Sequence, residues 1–264
     1  MKRTTDRVDP KTSRLLAENS FRRPARYDFP KTNYVPRVLT RPQSGLAVRW
    51  HEGGAVAPEL TLARSLSLVA KRSIDILGSV IGLLLLSPLL LAIAVWIDRT
   101  DKGPILFRQW RLGRDGKVFA LLKFRSMYAD RCDAAGIAQV TANDNRVTRI
   151  GAFIRRTSLD ELPQLINVLR GDMSLVGPRP HVPGMRAAGM DYEELMPDYA
   201  FRQSMRPGLT GWAQCHGLRG PTTDQIKALR RIGHDFAYVQ NFSLWLDMKI
   251  ICKTFGEVWR STAP

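Results

Sequence analysis

The sequence has little cysteine. Cys132, Cys215 and Cys252 are the whole set, far apart, with no C-x-x-C pair and no histidine at ligand spacing. An odd, scattered set supports neither a disulfide framework nor a zinc site, and suits a reducing compartment. No secretory leader is expected, because Met1 to about Glu59 is rich in Arg and Pro and has no apolar run of the required length. Acidic residues are in deficit: 24 Asp and Glu face 40 Lys and Arg, a net charge of +16. That balance calls for polyanionic company, whether nucleic acid, anionic lipid headgroups or a phosphorylated substrate. An apolar fraction of 44% over 264 residues leaves room for one or two domains with a real core, which excludes a wholly disordered chain.

The first 64 residues read as a basic, largely disordered tail, since RRPARYDFPKTNYVPRVLTRPQ mixes proline, basic and lone apolar residues without a period of strand or helix. Met1 to about Leu60 is expected to be unstructured. One long hydrophobic run follows, ILGSVIGLLLLSPLLLAIAVWI from Ile76 to Ile97, with no charge inside it. As a helix it is about 33 Å long, against a bilayer core of about 30 Å. Two readings stand. It is a plain spanning helix, or it enters the membrane, breaks at Ser87-Pro88 and returns to the same face. Pro88 strands the carbonyl of Leu84, and the Ser87 hydroxyl can reach a carbonyl three or four residues back. Both flanks are basic, with Arg64, Lys71 and Arg72 before the run and Arg99, Lys102, Arg108, Arg111 and Arg114 after it. A spanning helix usually shows positive charge on one side.

Beyond the run, residues 100–264 form the soluble part. Ile105 to Leu112 and Val118 to Arg125 read as strands joined by the turn Gly113-Arg114-Asp115-Gly116. Alternation places Lys123 and Arg125 on one side, either as solvated edge charges or as anion ligands. A short helix is expected at Ile150 to Arg156, and a second from about Leu159 to Arg170, ended by Gly171. Pro163 suits a first turn, so Asp160 and Glu161 fall at that helix's N-terminus, where Ser158-x-x-Glu161 fits a capping box. Helix capping alone accounts for those carboxylates but not for their company. Arg155 and Arg156 lie just upstream, and Arg179 lies in the rigid GPRP of Gly177 to Pro180. Carboxylates among cations suit phosphate chemistry with a divalent metal, in which an aspartate attacks phosphorus and arginines stabilise the leaving phosphate. Phe242 to Trp259 reads as an amphipathic helix with Trp245, Ile250 and Ile251 on its apolar side, either a core helix or one lying on a membrane surface.

The ordered set KRSIDILGS, LLSPLL, KFRSM, NDNRVTRIGAFIRRTSLDELPQLINVLRGDMSLVGPRP, RPGLTGWAQ and FSLWLDMKI, from roughly Leu68 to Phe255, resembles the bacterial sugar transferase family. These are monotopic phosphoglycosyl transferases that start polysaccharide assembly on a polyprenyl-phosphate carrier. The resemblance implies a mostly helical α+β, membrane-associated fold with a β-hairpin and a re-entrant helix over residues 65–99, broken at Ser87-Pro88. It also implies a reaction: a UDP-sugar gives its phosphosugar to polyprenyl phosphate, releasing UMP. Asp160 would be the nucleophile, Glu161 would bind Mg²⁺, and Arg155, with Lys123, Arg125, Arg156 and Arg179, would bind phosphates. His181 and GLRGPT at Gly217 to Thr222 resemble the undecaprenyl-phosphate glucose branch, with galactose as the alternative sugar. Cys215-His216 departs from the Val-Asn pair expected there. The place implied is the bacterial inner membrane, with the catalytic domain on the cytoplasmic face. Expected partners are the two substrates, membrane lipids and a second copy in a homodimer, with no nucleic acid. The competing readings are a non-enzymatic basic membrane adaptor and an enzyme of direct transfer.

Overall fold

Pro88 has no amide to give the carbonyl of Leu84, and in the computed structural model that carbonyl accepts the Ser87 hydroxyl instead, at 2.8 Å. The structure describes residues 46, 48–51, 54–55, 58–59, 61–131, 144–187, 189–196, 198–220, 222 and 224–262. With the stranded acceptor satisfied, helix α1 (Leu62–Thr100) continues through Ser87-Pro88. The expected break is therefore corrected to an uninterrupted helix of 39 residues, about 58 Å of rise. Among the described residues it is the one helix long and apolar enough to cross a membrane.

Both ends of α1 rest on the same soluble body. Near its start, Arg64 donates to the Val239 carbonyl at 2.9 Å, and Lys71 reaches Asp247 at 2.6 Å and the Val176 carbonyl at 2.9 Å. One turn on, Asp75 accepts from the Ser174 hydroxyl and the Leu175 amide, both at 2.9 Å. Near its end, Ile93 and Ile97 pack with Phe124, Ile150 and Ile154. Between them Leu77, Ile81, Leu84, Leu85, Leu91 and Trp96 stay exposed. The KRSIDILGS motif is thus a docking motif, with Lys71, Arg72, Asp75 and Ser79 facing the domain and Ile74, Ile76 and Leu77 outward.

The hairpin pairs β3 (Leu106–Leu112) with β4 (Val118–Phe124) in antiparallel register, Phe107 opposite Lys123 and Arg111 opposite Phe119. Helix α2 (Arg149–Arg156) starts at Thr148, whose hydroxyl accepts the Gly151 amide at 2.9 Å. The expected helix over 159–170 is corrected to two pieces, a 3₁₀ turn at Leu159–Glu161 and helix α3 (Gln164–Arg170). Gly171 ends α3 with φ 87°, as its sequence position implied. The capping box does not form. Ser158 takes a left-handed conformation (φ 58°) and caps nothing with its side chain.

Strand β5 (Ser174–Val176) pairs in parallel with a later strand over Gly208–Thr210, and between them lie β6 (Arg186–Ala187), β7 (Met190–Asp191) and the one-turn helix α4 (Tyr192–Leu195). Helix α5 (Gln225–Gln240) carries the main core, where Ile232, Phe236 and Ala237 meet Tyr192, Met196, Tyr199 and Val48. Val48 lies in the tail expected to be unstructured, so that expectation is corrected for part of it. Gln240 pairs with both backbone groups of Arg49, accepting at 2.7 Å and donating at 2.8 Å, beside the small antiparallel pair β1 (Trp50–His51) and β2 (Gly54–Ala55). Such a contact across 191 residues leaves no local pattern. The tail up to residue 45 lies outside the described residues. Helix α6 (Leu244–Thr262) has two apolar faces, Leu246 and Ile250 buried and Trp245, Met248 and Phe255 exposed, so Trp245 does not share the face of Ile250.

Candidate active site

Four segments converge on Asp160 and Glu161. The first is β4, held against α3 by Asn167, whose side chain accepts the Leu122 amide at 2.9 Å and donates to the Ala120 carbonyl at 2.8 Å. This clamp sets Lys123 beside the 3₁₀ turn. The second is α2, which approaches the end of β4 so closely that a Cβ on Gly151 would lie 1.9 Å from the Ser126 carbonyl oxygen. Only glycine permits that approach. It brings Arg155, whose guanidinium donates to the Ser126 hydroxyl at 3.2 Å.

The third is the GPRP loop. Gly177 meets the backbone of Arg206 and Gly208, where a Cβ would come within 2.3 Å of the Arg206 carbonyl oxygen. The RPGLTG stretch therefore backs the loop. Three further bonds fix it: Arg202 donates to the Arg179 carbonyl at 2.6 Å, Arg111 to the Pro180 carbonyl at 3.2 Å, and the Leu112 amide to the His181 carbonyl at 2.8 Å. Arg202 is itself held by Asp235 at 2.6 Å, in a pair that is 2% exposed on both sides. The fourth segment is the left-handed Ser158, whose amide donates to the Arg155 carbonyl at 3.2 Å and turns the chain back, leaving Asp160 8% exposed.

The two carboxylates differ. Glu161 is forked by Arg179, with distances of 2.6 Å and 3.4 Å. Burial pushes the Glu161 carboxyl up, but Arg179 and Lys123, with Arg219, outweigh it and hold it below the ordinary range. Glu161 in turn raises the Arg179 guanidinium. Asp160 makes no side-chain hydrogen bond among the described residues. Burial, reinforced by the neighbouring Glu161, pushes its carboxyl up to about 6, against the pull of Lys123, Arg155 and Arg179. Burial also lowers the Lys123 ammonium to about 8, with Arg111 adding to the effect and Asp160 opposing it. Arg111, buried and close to Arg179, falls to about 10.

Of the residues expected from sequence, Lys123, Arg155 and Arg179 are brought round Asp160 and Glu161. Arg125 is not. It donates to the Asp101 carboxylate at 2.9 Å and to the Asp101 carbonyl, closing the C-terminal end of α1. Arg156 is exposed on the last turn of α2. Sequence reading missed Arg111 and Arg219. The hairpin register carried a signal for Arg111, because its partner Phe119 lies four residues before Lys123, on the same face. Nothing local marks Arg219 beyond the glycines that flank it. Cys215 is buried and its thiol is pushed up to about 11 by burial, so it is no nucleophile.

Two adjacent carboxylates among a surplus of fixed cations suit phosphate chemistry, and of the two Asp160 is the one without a side-chain hydrogen bond among the described residues. Among the described residues no three metal-ligating side chains gather. Magnesium is commonly held by one or two carboxylates together with substrate phosphates, so the Asp160-Glu161 pair fits an ion that arrives with substrate rather than a closed cage.

The family model for bacterial sugar transferase matches residues 66–261. An exopolysaccharide production protein, PSS, from Rhizobium leguminosarum bv. phaseoli is 55% identical over 73% of this chain and 95% of its own length. The UDP-glucose:undecaprenyl-phosphate glucose-1-phosphate transferase of Escherichia coli (strain K12) is 47% identical over 70% of this chain and 39% of that protein. The UDP-N-acetylgalactosamine-undecaprenyl-phosphate N-acetylgalactosaminephosphotransferase of Aeromonas hydrophila is 45% identical over 71% of this chain and 43% of that protein. The chain thus spans nearly all of the first relative and about two fifths of the other two. With its matched residues covering the docked helix, the hairpin, the carboxylate turn and the GPRP loop, the chain belongs to the bacterial sugar transferase family.

Proposed function

We propose that this protein moves a sugar-1-phosphate from a UDP-sugar to polyprenyl phosphate, undecaprenyl phosphate in bacteria, at the start of exopolysaccharide assembly. The observation that carries the proposal is the unpaired, buried Asp160 among Lys123, Arg155 and Arg179. A carboxylate with a raised pKa is a stronger nucleophile than an ordinary aspartate, yet at neutral pH it is still mostly ionised. Its oxygen attacks the β-phosphorus of the donor, the bond from that phosphorus to the bridging oxygen breaks, and UMP leaves with the bond's electron pair. A sugar-phosphoryl aspartate remains. An oxygen of polyprenyl phosphate then attacks the same phosphorus, Asp160 departs as carboxylate, and polyprenyl-diphosphate-sugar forms. Lys123 and Arg155 stabilise the charge that grows on the transferred phosphoryl group, and Arg179 keeps Glu161 ionised. Glu161 would hold Mg²⁺ together with substrate phosphates, and that ion, when bound, would neutralise charge on the donor's diphosphate and on the UMP that leaves.

Glucose is the favoured sugar. The name of the Escherichia coli relative supports it, as does the likeness of His181 and GLRGPT to the glucose branch. The Aeromonas relative, named for another sugar at similar identity, makes galactose-type donors the alternative. A re-entrant placement of α1 on the cytoplasmic side of the inner membrane is supported by its two ends. A spanning helix would separate them by about 30 Å of hydrocarbon, whereas here Lys71 and Asp101 are held by one polar body. Pro88, with its carbonyl partner replaced by Ser87, is where such a helix would bend. The test is UMP release from a panel of UDP-sugars with polyprenyl phosphate and Mg²⁺, expected to be fastest with UDP-glucose and lost in Asp160→Asn. Turnover retained in that variant would contradict the proposal.

A further inference from the structure

Arg231 is 3% exposed, yet it has no carboxylate in hydrogen-bonding range among the described residues. It spends its guanidinium on two carbonyls, donating to Leu218 at 3.0 Å and to Gly220 at 2.8 Å. Burying a cation to hold a loop is costly, and the loop it holds contains one charged residue, Arg219. Gly217 and Gly220 on either side are left-handed, with φ of 74° and 79°, so the backbone is turned sharply at both ends of the clamp. Arg219 makes no hydrogen bond among the described residues, and its Nε is buried and unpartnered. Its charge nonetheless reaches the site, where it helps Arg179 and Lys123 hold the Glu161 carboxyl down. Arg111 matches it in one respect: its Nε is also buried without an acceptor. A buried donor left unmade in the free protein is one that a ligand oxygen can satisfy on binding.

We propose that Arg219, presented by the Arg231 clamp, binds an oxygen of a second phosphate, one other than the phosphoryl group attacked at Asp160. This deepens the two-step reading given above and rests on it. Two sources have the same chemistry: the α-phosphate of the nucleotide that leaves, and the phosphate of the lipid that arrives. Arg231 is a positioning residue that acts through the two carbonyls beside Arg219.

The two half-reactions separate these sources. The full-length protein, in lipid nanodiscs, is incubated with UDP-glucose alone to follow UMP release and the mass of the sugar-phosphoryl enzyme. Polyprenyl phosphate is then added to follow loss of that adduct. Arg219→Gln is expected to slow one half-reaction about tenfold to a hundredfold, the effect of losing a charge-assisted hydrogen bond. The other half-reaction should change by less than about twofold. Arg219→Lys should recover part of the loss. Arg231→Lys, which cannot fork two carbonyls, should slow the same half-reaction. Slowing of the first assigns the nucleotide phosphate, and slowing of the second assigns the lipid phosphate. No change in either, or equal slowing of both, would overturn the proposal. If the wild-type protein forms no adduct while it turns over, the two-step reading fails. Equilibrium binding of UMP and of short-chain polyprenyl phosphate then decides on Arg219, with undiminished binding of both by Arg219→Gln counting against it.

Discussion

Arg179 forks Glu161 with its closest contact at 2.6 Å, while Asp160, the residue just before it in the chain, keeps its carboxylate free of hydrogen bonds among the described residues. Adjacent carboxylates so differently held cannot do the same work. Glu161 is fixed and ionised, whereas Asp160 is buried, more basic and unengaged. Reaction at phosphorus needs the second kind of group, and charge neutralisation needs the first.

Formation of the sugar-phosphoryl enzyme from donor alone should show a bell-shaped pH dependence. Asp160 must be ionised, so the rate rises as pH passes through about 6. Lys123 must be protonated, so it falls as pH passes through about 8. Rapid-quench measurement without lipid acceptor isolates these two limbs from titration of the acceptor phosphate. Lys123→Arg should remove the upper limb, because guanidinium stays charged.

Asp160→Asn should melt at a higher temperature than the wild type at pH 8. The folded-state pKa of Asp160 is raised from 3.8 to about 6. Its favourable contribution is therefore complete below about pH 4 and is lost as pH rises through about 6. A shift of roughly two units corresponds to about 3 kcal/mol at most, carried as strain by the ionised wild type. Thermal melts at pH 4 and pH 8 should show the gap only at the higher pH.

Lys71→Met should destabilise the protein by about 3–5 kcal/mol, because it leaves the Asp247 carboxylate buried without its cation. The pair is 8% and 10% exposed, and among the described residues the Asp247 carboxylate is bonded further only by Tyr238, at 2.7 Å. Combining Lys71→Met with Asp247→Leu should recover much of that loss. Denaturant melts in detergent check both.

A reporter placed at the exposed Ala63 should respond on the same side of the membrane as one at Thr100. An outside location for Ala63 would make α1 a spanning helix and remove the re-entrant reading.

The local parts of this structure were legible because their causes are local. The hairpin follows from alternation around a glycine-bearing turn, the end of α3 from Gly171, and the fate of the Leu84 carbonyl from Ser87 beside Pro88. Arg155 was legible beside the carboxylates because it lies five residues before Asp160, and Arg179 because it sits in the rigid GPRP, whereas Lys123 in KFRSM drew attention only through the family resemblance. What failed depended on distant contacts. Ser158 fits a capping box by spacing, but Arg179, 18 residues beyond Glu161, takes the carboxylate that the box would use. Arg125 shares the side of Lys123 by alternation, yet Asp101 at the end of α1 claims it. Val48 and Arg49 look like tail until the core around α5 exists to receive them.

The most direct test of the central claim is the intact mass of the protein after incubation with UDP-glucose and no lipid acceptor. Wild type should gain one hexose phosphate, located on Asp160 by peptide mapping, and Asp160→Asn should gain nothing. An adduct on the Asn variant, or a wild type that turns over with UDP-glucose and polyprenyl phosphate without ever carrying one, would contradict the account.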